Sequence, residues 1–501
     1  MNQAPIRDIV IVGGGTAGWM AAAYLSKMLV GPKITLVESD EIGTVGVGEA
    51  SIPYLKAFHV ELGIDENEFM RATQATFKLG IEFVNWGQVG ESYIHGFGGL
   101  GPDVGTMNFY QYWLRQHQHG RAKSIEHYSI NLAAARANKF IRAREDMPDS
   151  PLSKIGHAFH FDAGLYAQFL RRYAEGMGVQ RIEGRVLTAT LRPEDGHVDA
   201  LQLSDGRRVE GQLFIDCSGF RGLLIEQILQ TGYEDWSHWL PMDGAWAVPC
   251  ESAGPLLPYT RSIAHSAGWQ WRIPLQSRIG NGHVFSSRFV SEQAAAEVLM
   301  ANLDGKALAE PRLLKFTTGK RKRLWNRNVV SLGLASGFME PLESTSIHLV
   351  ESALVRLVNL FPDQGFDAVD VAEFNRQSDF EFAAIRDFLI AHYRVSRRSD
   401  SEFWNYVRSM SIPDSLQERL DLFANKGRFF KNHTELFGEV SWFSVLFGQG
   451  LHPKGHHPLI DSLGDARLDE FLAQVEHVNQ KCVAAMPFHS DYVAGNCAAP
   501  R

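Results

Sequence analysis

The chain opens with short, fully apolar runs that end in glycine or an acid and alternate with helical spacing. Ile9-Val10-Ile11-Val12 is a β-branched run of the kind that fills a strand buried on both faces, and it leads directly into Gly13-Gly14-Gly15-Thr16-Ala17-Gly18. Trp19 to Leu29 reads as a helix, and Lys33 to Val37 as a second strand ending in Glu38. Phe214-Ile215-Asp216-Cys217 reads as a returning strand turned by Ser218-Gly219. This alternation over residues 5–240 predicts an α/β body. Trp236 to Ser287 is dense in tryptophan and turn residues and predicts a second sheet. Apolar positions then take up helical spacing over Ile347–Phe361 and Val371–Ala391, and residues 405–480 read as largely helical. The expected division is residues 1–240 as the α/β body with 315–375 returning to it, 241–314 as the second-sheet region, and 376–501 as a mainly helical C-terminal lobe.

Composition narrows the class. With 45% hydrophobic and 21% charged residues the sequence is that of an ordinary globular protein. A net charge of −8 leaves no electrostatic footprint for nucleic acid or for an anionic membrane. No run approaches a membrane span, and Ile9–Val12 is too short for a signal segment. Cys217, Cys250, Cys482 and Cys497 show no metal-ligand spacing and fit reduced thiols. These features point to the cytoplasm. His452, His456 and His457 read as incidental loop histidines, so no metal is expected.

The first chemistry to emerge is a nucleotide cofactor. Gly13, Gly15 and Gly18 satisfy G-x-G-x-x-G in a strand–turn–helix setting, with Thr16 and Ala17 in the turn, which lets backbone N–H groups approach a pyrophosphate at a helix N-terminus. Glu38 lies where a ribose-binding acid is expected. A second literal match, Gly96 to Gly101, follows no convincing strand and is succeeded by Pro102, so it reads as a flexible loop rather than a nicotinamide site.

A second set of residues is more specific. In Gly268-Trp269-Gln270-Trp271-Arg272-Ile273-Pro274 two indoles share one face of a strand, either as the buried face of an ordinary strand or as an aromatic wall beside a cofactor. Val47 to Pro53, Thr76-Phe77-Lys78, Phe83-Val84-Asn85-Trp86, Ser331 to Thr345 and Arg398 to Trp404 follow in order. Together these segments resemble the flavin-dependent halogenases, in the branch that acts on tryptophan and other indoles.

The resemblance implies an FAD-binding, Rossmann-like body of the flavin monooxygenase type with a second sheet and a helical substrate lobe, flavin and substrate lying in compartments joined by a tunnel. Ala50, Ser51 and Ile52 would strap the isoalloxazine, and Leu334 stands where general flavin hydroxylases carry an aspartate. Trp269 and Trp271 would wall the flavin from bulky substrate. Lys78 matches the lysine that delivers the halogen, as a hydrogen-bonding ammonium or as a haloamine, and lysine suits either role because its ionisation is readily tuned. The alternative for a lone lysine is a solvated position on a helix. Glu343 matches the glutamate that accepts the ring proton; it could equally pair with Glu340 at a helix start. Halide would lie at backbone N–H groups near Thr345 and Ser346. Ser346 replaces a frequent family glycine, which leaves chloride or bromide preference open.

His95 and Phe97 would sandwich an aromatic ring. Trp442 and Phe443 replace a tyrosine pair found near the amino-acid group of tryptophan, which favours indole or a larger indole derivative over free tryptophan. The enzyme would use FADH2 from a separate flavin reductase and act on a small aromatic substrate; monomer and homodimer both remain open. Rival readings are a flavin monooxygenase that hydroxylates directly and a non-catalytic FAD-binding sensor.

Overall fold

The computed structural model describes residues 4–41, 48–432 and 434–500. The chain forms two compact units interleaved along the sequence. The first comprises Met1–Gln74, Phe161–Asp243 and Lys315–Ala383, and the second Ala75–His160, Gly244–Leu314 and Ala384–Arg501.

The first unit is built on a six-stranded sheet in the spatial order Trp325–Asn326, Val329–Ser331, Leu213–Asp216, Asp8–Val12, Lys33–Glu38, Gln180–Glu183. Asp8–Val12 pairs in parallel with both neighbours. A strand in that position has no wet face, and Ile9 to Val12 are correspondingly all buried. Thr16–Met28 is a helix rich in alanine, the best helix former, and it is buried continuously from Gly18 to Leu25. That profile fits a helix covered by others, here Ala163–Gly176 and Ser346–Asn359. The latter buries Ile347, Val350, Leu354 and Leu357, one apolar stripe at helical spacing.

This unit also buries charge. Glu381 accepts from Ser352 and lies 2.9 Å from Arg356 and 3.1 Å from Nε2 of His348. Burial opposes its ionisation, but His348 and Arg356 hold the carboxyl below its ordinary value. Glu351 has no such support. One of its oxygens lies 3.9 Å from His348 Nδ1 and the other has no hydrogen-bond partner among the described residues. Burial pushes its carboxyl up to about 8.

The second unit carries a seven-stranded mixed sheet in the order Arg312–Lys315, Gly244–Cys250, Ile279–Phe285, Gly268–Pro274, Thr260–His265, Gly80–Val84, Ser92–Gly96. The four strands from Gly244 to Phe285 pair antiparallel. Gly80–Val84 then joins Thr260–His265 in parallel, and Ser92–Gly96 closes the edge antiparallel to it. Residues 75–160, expected within the first body, therefore group with the second unit, and two of their strands join its sheet. Local alternation marks a strand but not the sheet it joins, and the partner of Gly80–Val84 lies far along the chain. Ser92–Gly96 also corrects the reading that Gly96 follows no strand. It is a short edge strand containing serine, histidine and glycine, so its apolar signal is weak. The C-terminal part is helical, with Asp414–Lys426, Glu439–Gly448 and Asp465–Ala485 its main helices. Among the described residues no helix is long and apolar enough to cross a membrane.

The Glu351 carboxyl holds its proton in the folded chain up to about pH 8, and loses it near pH 4.5 when unfolded. Folding therefore binds a proton across that window, and stability falls as pH rises through it, by up to about 1.4 kcal/mol per pH unit. Glu351→Gln should flatten the decline of melting temperature between pH 5 and 8 relative to wild type. Parallel melting curves for the two proteins over that range would refute the assignment.

Candidate functional site

In the first unit the glycine turn has the shape a dinucleotide requires. A Cβ on Gly18 would lie 1.8 Å from the Gly13 carbonyl oxygen, and one on Gly13 2.4 Å from that of Cys217. The turn is thus close-packed against the returning strand that ends at Asp216. Gly15 is the N-cap of Thr16–Met28 and no side chain caps that helix, so the N–H groups of its first turn are available to an anion. Glu38 ends the neighbouring strand, with one oxygen 2.5 Å from Arg181 Nε and the other against Gly14. These residues fit FAD: small turn, helix N-terminus and acid converge on one strand-end. Ala50, which ends the short strand Gly48–Ala50, and Ser51 and Ile52 after it are buried; Val47, the first residue of the expected strap, lies outside the described residues. Burial pushes the Glu49 carboxyl up to about 7. Leu334 follows Gly333 in a turn seated on Ala17, where a Cβ on Gly333 would meet the Ala17 methyl at 2.8 Å.

Glu343 is buried at the end of a single 3₁₀ turn, Pro341–Glu343, and is not part of the helix that follows. Ser344 takes a left-handed conformation at φ 58°, which is uncommon outside glycine, and turns the chain. Thr345 is the N-cap of Ser346–Asn359 without a side-chain cap bond. A buried acidic side chain and a helix N-terminus without a side-chain cap thus stand within three residues of each other.

The second unit holds the lysine. Thr76–Lys78 is a three-residue strand, and Lys78 is 0% exposed. The strand pairs antiparallel with Ala158–Asp162, and the residue opposite Lys78 is Ala158. The small methyl leaves room for the lysine stem. Its Nζ lies 5.4 Å from the ring centroid of Phe97, a cation–π distance. His95, two residues earlier, is buried on the edge strand with its ring 5.8 Å from Phe388 and 6.2 Å from Phe437. Phe388 stacks on Phe437 at 4.0 Å and meets Trp442 edge-on at 4.9 Å. Lys78 is thus paired with Phe97, while His95, Phe388, Phe437 and Trp442 form a continuous aromatic cluster.

Phe443 points elsewhere. It stacks on Tyr110 at 4.4 Å and on Phe447 at 5.2 Å, because adjacent helical residues differ by about 100° in direction. His452 stacks on Phe447, while His456 bonds Gln118 and Asp461.

Trp269 and Trp271 share one face of Gly268–Pro274, with ring centroids 6.2 Å apart and edge to face. Gly282 stands opposite Trp271 in register, and any Cβ there would fall 2.0 Å from the indole. Trp269 packs on Trp86, whose indole N–H donates to the Ser262 carbonyl. The Trp271 N–H is buried without a hydrogen-bond partner among the described residues.

Comparison with known proteins decides the class. The family model for tryptophan halogenases matches residues 8–465. The chain belongs to the tryptophan halogenase family. It is 36% identical to the tryptophan 7-halogenase RebH of Lentzea aerocolonigenes, over 96% of this chain and 97% of that one. Two solved structures are similar throughout. Xcc4156, a flavin-dependent halogenase from Xanthomonas campestris, superposes with a TM-score of 0.96 at 51% identity, covering 99% of both chains. BrvH, a flavin-dependent halogenase from Brevundimonas sp. BAL3, gives 0.95 at 46% identity with the same coverage. The chain is therefore a flavin-dependent halogenase with an FAD-binding fold, and direct hydroxylation is not favoured.

Within this halogenase several residues around His95 and near Lys78 left no clear mark in the sequence. Phe388 and Phe437 were legible only as apolar positions at helical spacing or as loop aromatics. His160, opposite Thr76, lies between two phenylalanines in a strand that ends at Asp162, and nothing in its neighbourhood signals a role.

Proposed function

We propose that the enzyme chlorinates or brominates an indole or a larger indole-bearing aromatic, with Lys78 presenting the halogen and Glu343 taking the ring proton. The observation that carries this reading is Lys78 itself: an ammonium with no exposed surface, over the face of Phe97. Burying a cation there is costly. FAD, bound as FADH2 from a separate reductase, supplies with oxygen the oxidising equivalents that convert halide to hypohalous acid.

Chloride or bromide is held by the backbone N–H groups at Thr345 and Ser346. The Lys78 ammonium donates a hydrogen bond to the oxygen of the hypohalous acid, which polarises the halogen toward the ring. The ring carbon bonds the halogen as the O–X bond breaks, the oxygen leaves as water with a proton from the ammonium, and Glu343 accepts the ring hydrogen. His95, Phe97 and Trp442 hold the ring by stacking and apolar contact, and Trp269 with Trp271 shields the flavin.

The substrate class follows from what surrounds the ring. Trp442 lies among Phe388 and Phe429, and Phe443 is packed into the interior against Tyr110. Neither offers a hydroxyl to the ammonium or carboxylate of a free amino acid.

Three outcomes are expected. Given FAD, a reductase with NADH, oxygen and halide, indole should yield a product with the chlorine or bromine isotope pattern and outpace tryptophan; an oxygenated product independent of halide would overturn the reaction class. Lys78→Ala should abolish ring halogenation while the reduced flavin is still oxidised. Glu343→Gln should slow turnover by about 10²-fold, and an unchanged rate would remove it from the chemistry.

A further inference from the structure

The strand that carries Lys78 is fixed by a closed set of hydrogen bonds centred on His160. The Thr76 hydroxyl lies 2.6 Å from the carbonyl oxygen of Pro274, the last residue of the tryptophan-rich motif, and 3.0 Å from His160 Nδ1. His160 Nε2 lies 2.8 Å from the Thr260 hydroxyl. A carbonyl can only accept, so the single Thr76 proton is committed to Pro274. His160 Nδ1 must then be the donor to Thr76, and Nε2 the acceptor from Thr260. The tautomer is thereby settled by proton count.

The placement matters as much as the bonding. Thr76 stands opposite His160 and Lys78 opposite Ala158. Side chains alternate along a strand, so Thr76 and Lys78 share one face with Ala158 and His160. His160 is the diagonal neighbour of Lys78 on that face, within reach of a long side chain. It is 0% exposed. Its ionisation is suppressed well below the ordinary histidine range by burial first, then by the Lys78 and His489 charges. At the open edge of the strand His489 accepts from the Phe77 N–H and donates through Nδ1 to the Leu256 carbonyl, and burial pushes it down to about 4. Neither histidine adds a second positive charge beside the lysine.

We infer that His160 is a positioning residue for Lys78: held neutral in one tautomer between Thr76 and Thr260, it flanks the lysine stem and locks its strand to the Pro274 end of the tryptophan-rich motif. The motif thereby acquires a second task, since its terminal carbonyl anchors the strand that presents the ammonium. This rests on the reading of Lys78 given above. A small misplacement of a catalytic group can cost about 10²-fold in rate, so the effect belongs in turnover rather than in ring binding.

The test compares wild type, His160→Ala, His160→Asn, Thr260→Val and Lys78→Ala, all FAD-loaded and supplied with reductase, NADH, bromide and indole. Halogenated product per reduced flavin oxidised, kcat, KM for indole and melting temperature are measured. His160→Ala should lower kcat and product yield by about 10- to 100-fold, with KM within about threefold of wild type and flavin oxidation intact. His160→Asn retains an N–H donor near the Nδ1 position and should recover much of that loss. Thr260→Val, which removes only the hydroxyl on Nε2, should fall between wild type and His160→Ala, and it serves as the decisive variant where His160→Ala does not fold. Normal yield in Thr260→Val and in a folded His160→Ala would overturn the inference. So would equal losses in His160→Ala and His160→Asn that follow melting temperature alone. Persistent halogenation by Lys78→Ala would instead overturn the role of the lysine, and the two failures are thus distinct.

Discussion

An ammonium with no exposed surface sets the terms for everything packed around it. Taking a lysine head group out of water costs several kcal/mol even after relaxation, and the second unit meets that cost with chemistry that leaves the group reactive. The Lys78 Nζ lies 5.4 Å from the ring centre of Phe97, whose face attracts a cation without accepting its proton. The residue across the ladder is alanine. Both flanking histidines are kept uncharged by burial.

A three-residue strand has too few ladder bonds to hold such a group in place. Thr76–Lys78 borrows its rigidity from four distant segments: the Ala158–Asp162 strand, the Pro274 carbonyl, the Thr260 hydroxyl and the ring of His489. The seven-stranded sheet therefore works as a frame whose strand ends supply fixed acceptors and donors. Rigid elements with satisfied polar partners position reactive groups better than loops do. The same logic explains Gly282, whose missing side chain gives the Trp271 indole its place.

What the sequence discloses follows the range of the interactions involved. The strand, glycine turn, helix, strand and acid from Ile9 to Glu38 are legible because every part of that cradle is local in the chain. The helix from Ser346 is legible for the same reason, as one stripe of apolar positions. Lys78 and Glu343 stand out through their motif settings rather than through any property of a lone lysine or glutamate. The strands at 80–84 and 92–96 are different, since membership of a sheet depends on partners that residues nearby do not encode. Phe388, Phe437 and His160 acquire their roles only through contacts made across the fold. Trp442 and Phe443 form an unremarkable pair on paper, and only the phase of their helix separates one that faces the aromatic cluster from one that fills the core.

The first unit has a consequence for how the chain is made. Its glycine turn is synthesised well before the turn at Gly333 seated on Ala17 and the helix Ser346–Asn359 that covers Thr16–Met28. The central strand Asp8–Val12 likewise waits for Leu213–Asp216. The strand and helix of the nucleotide cradle thus emerge before the segments that complete their burial.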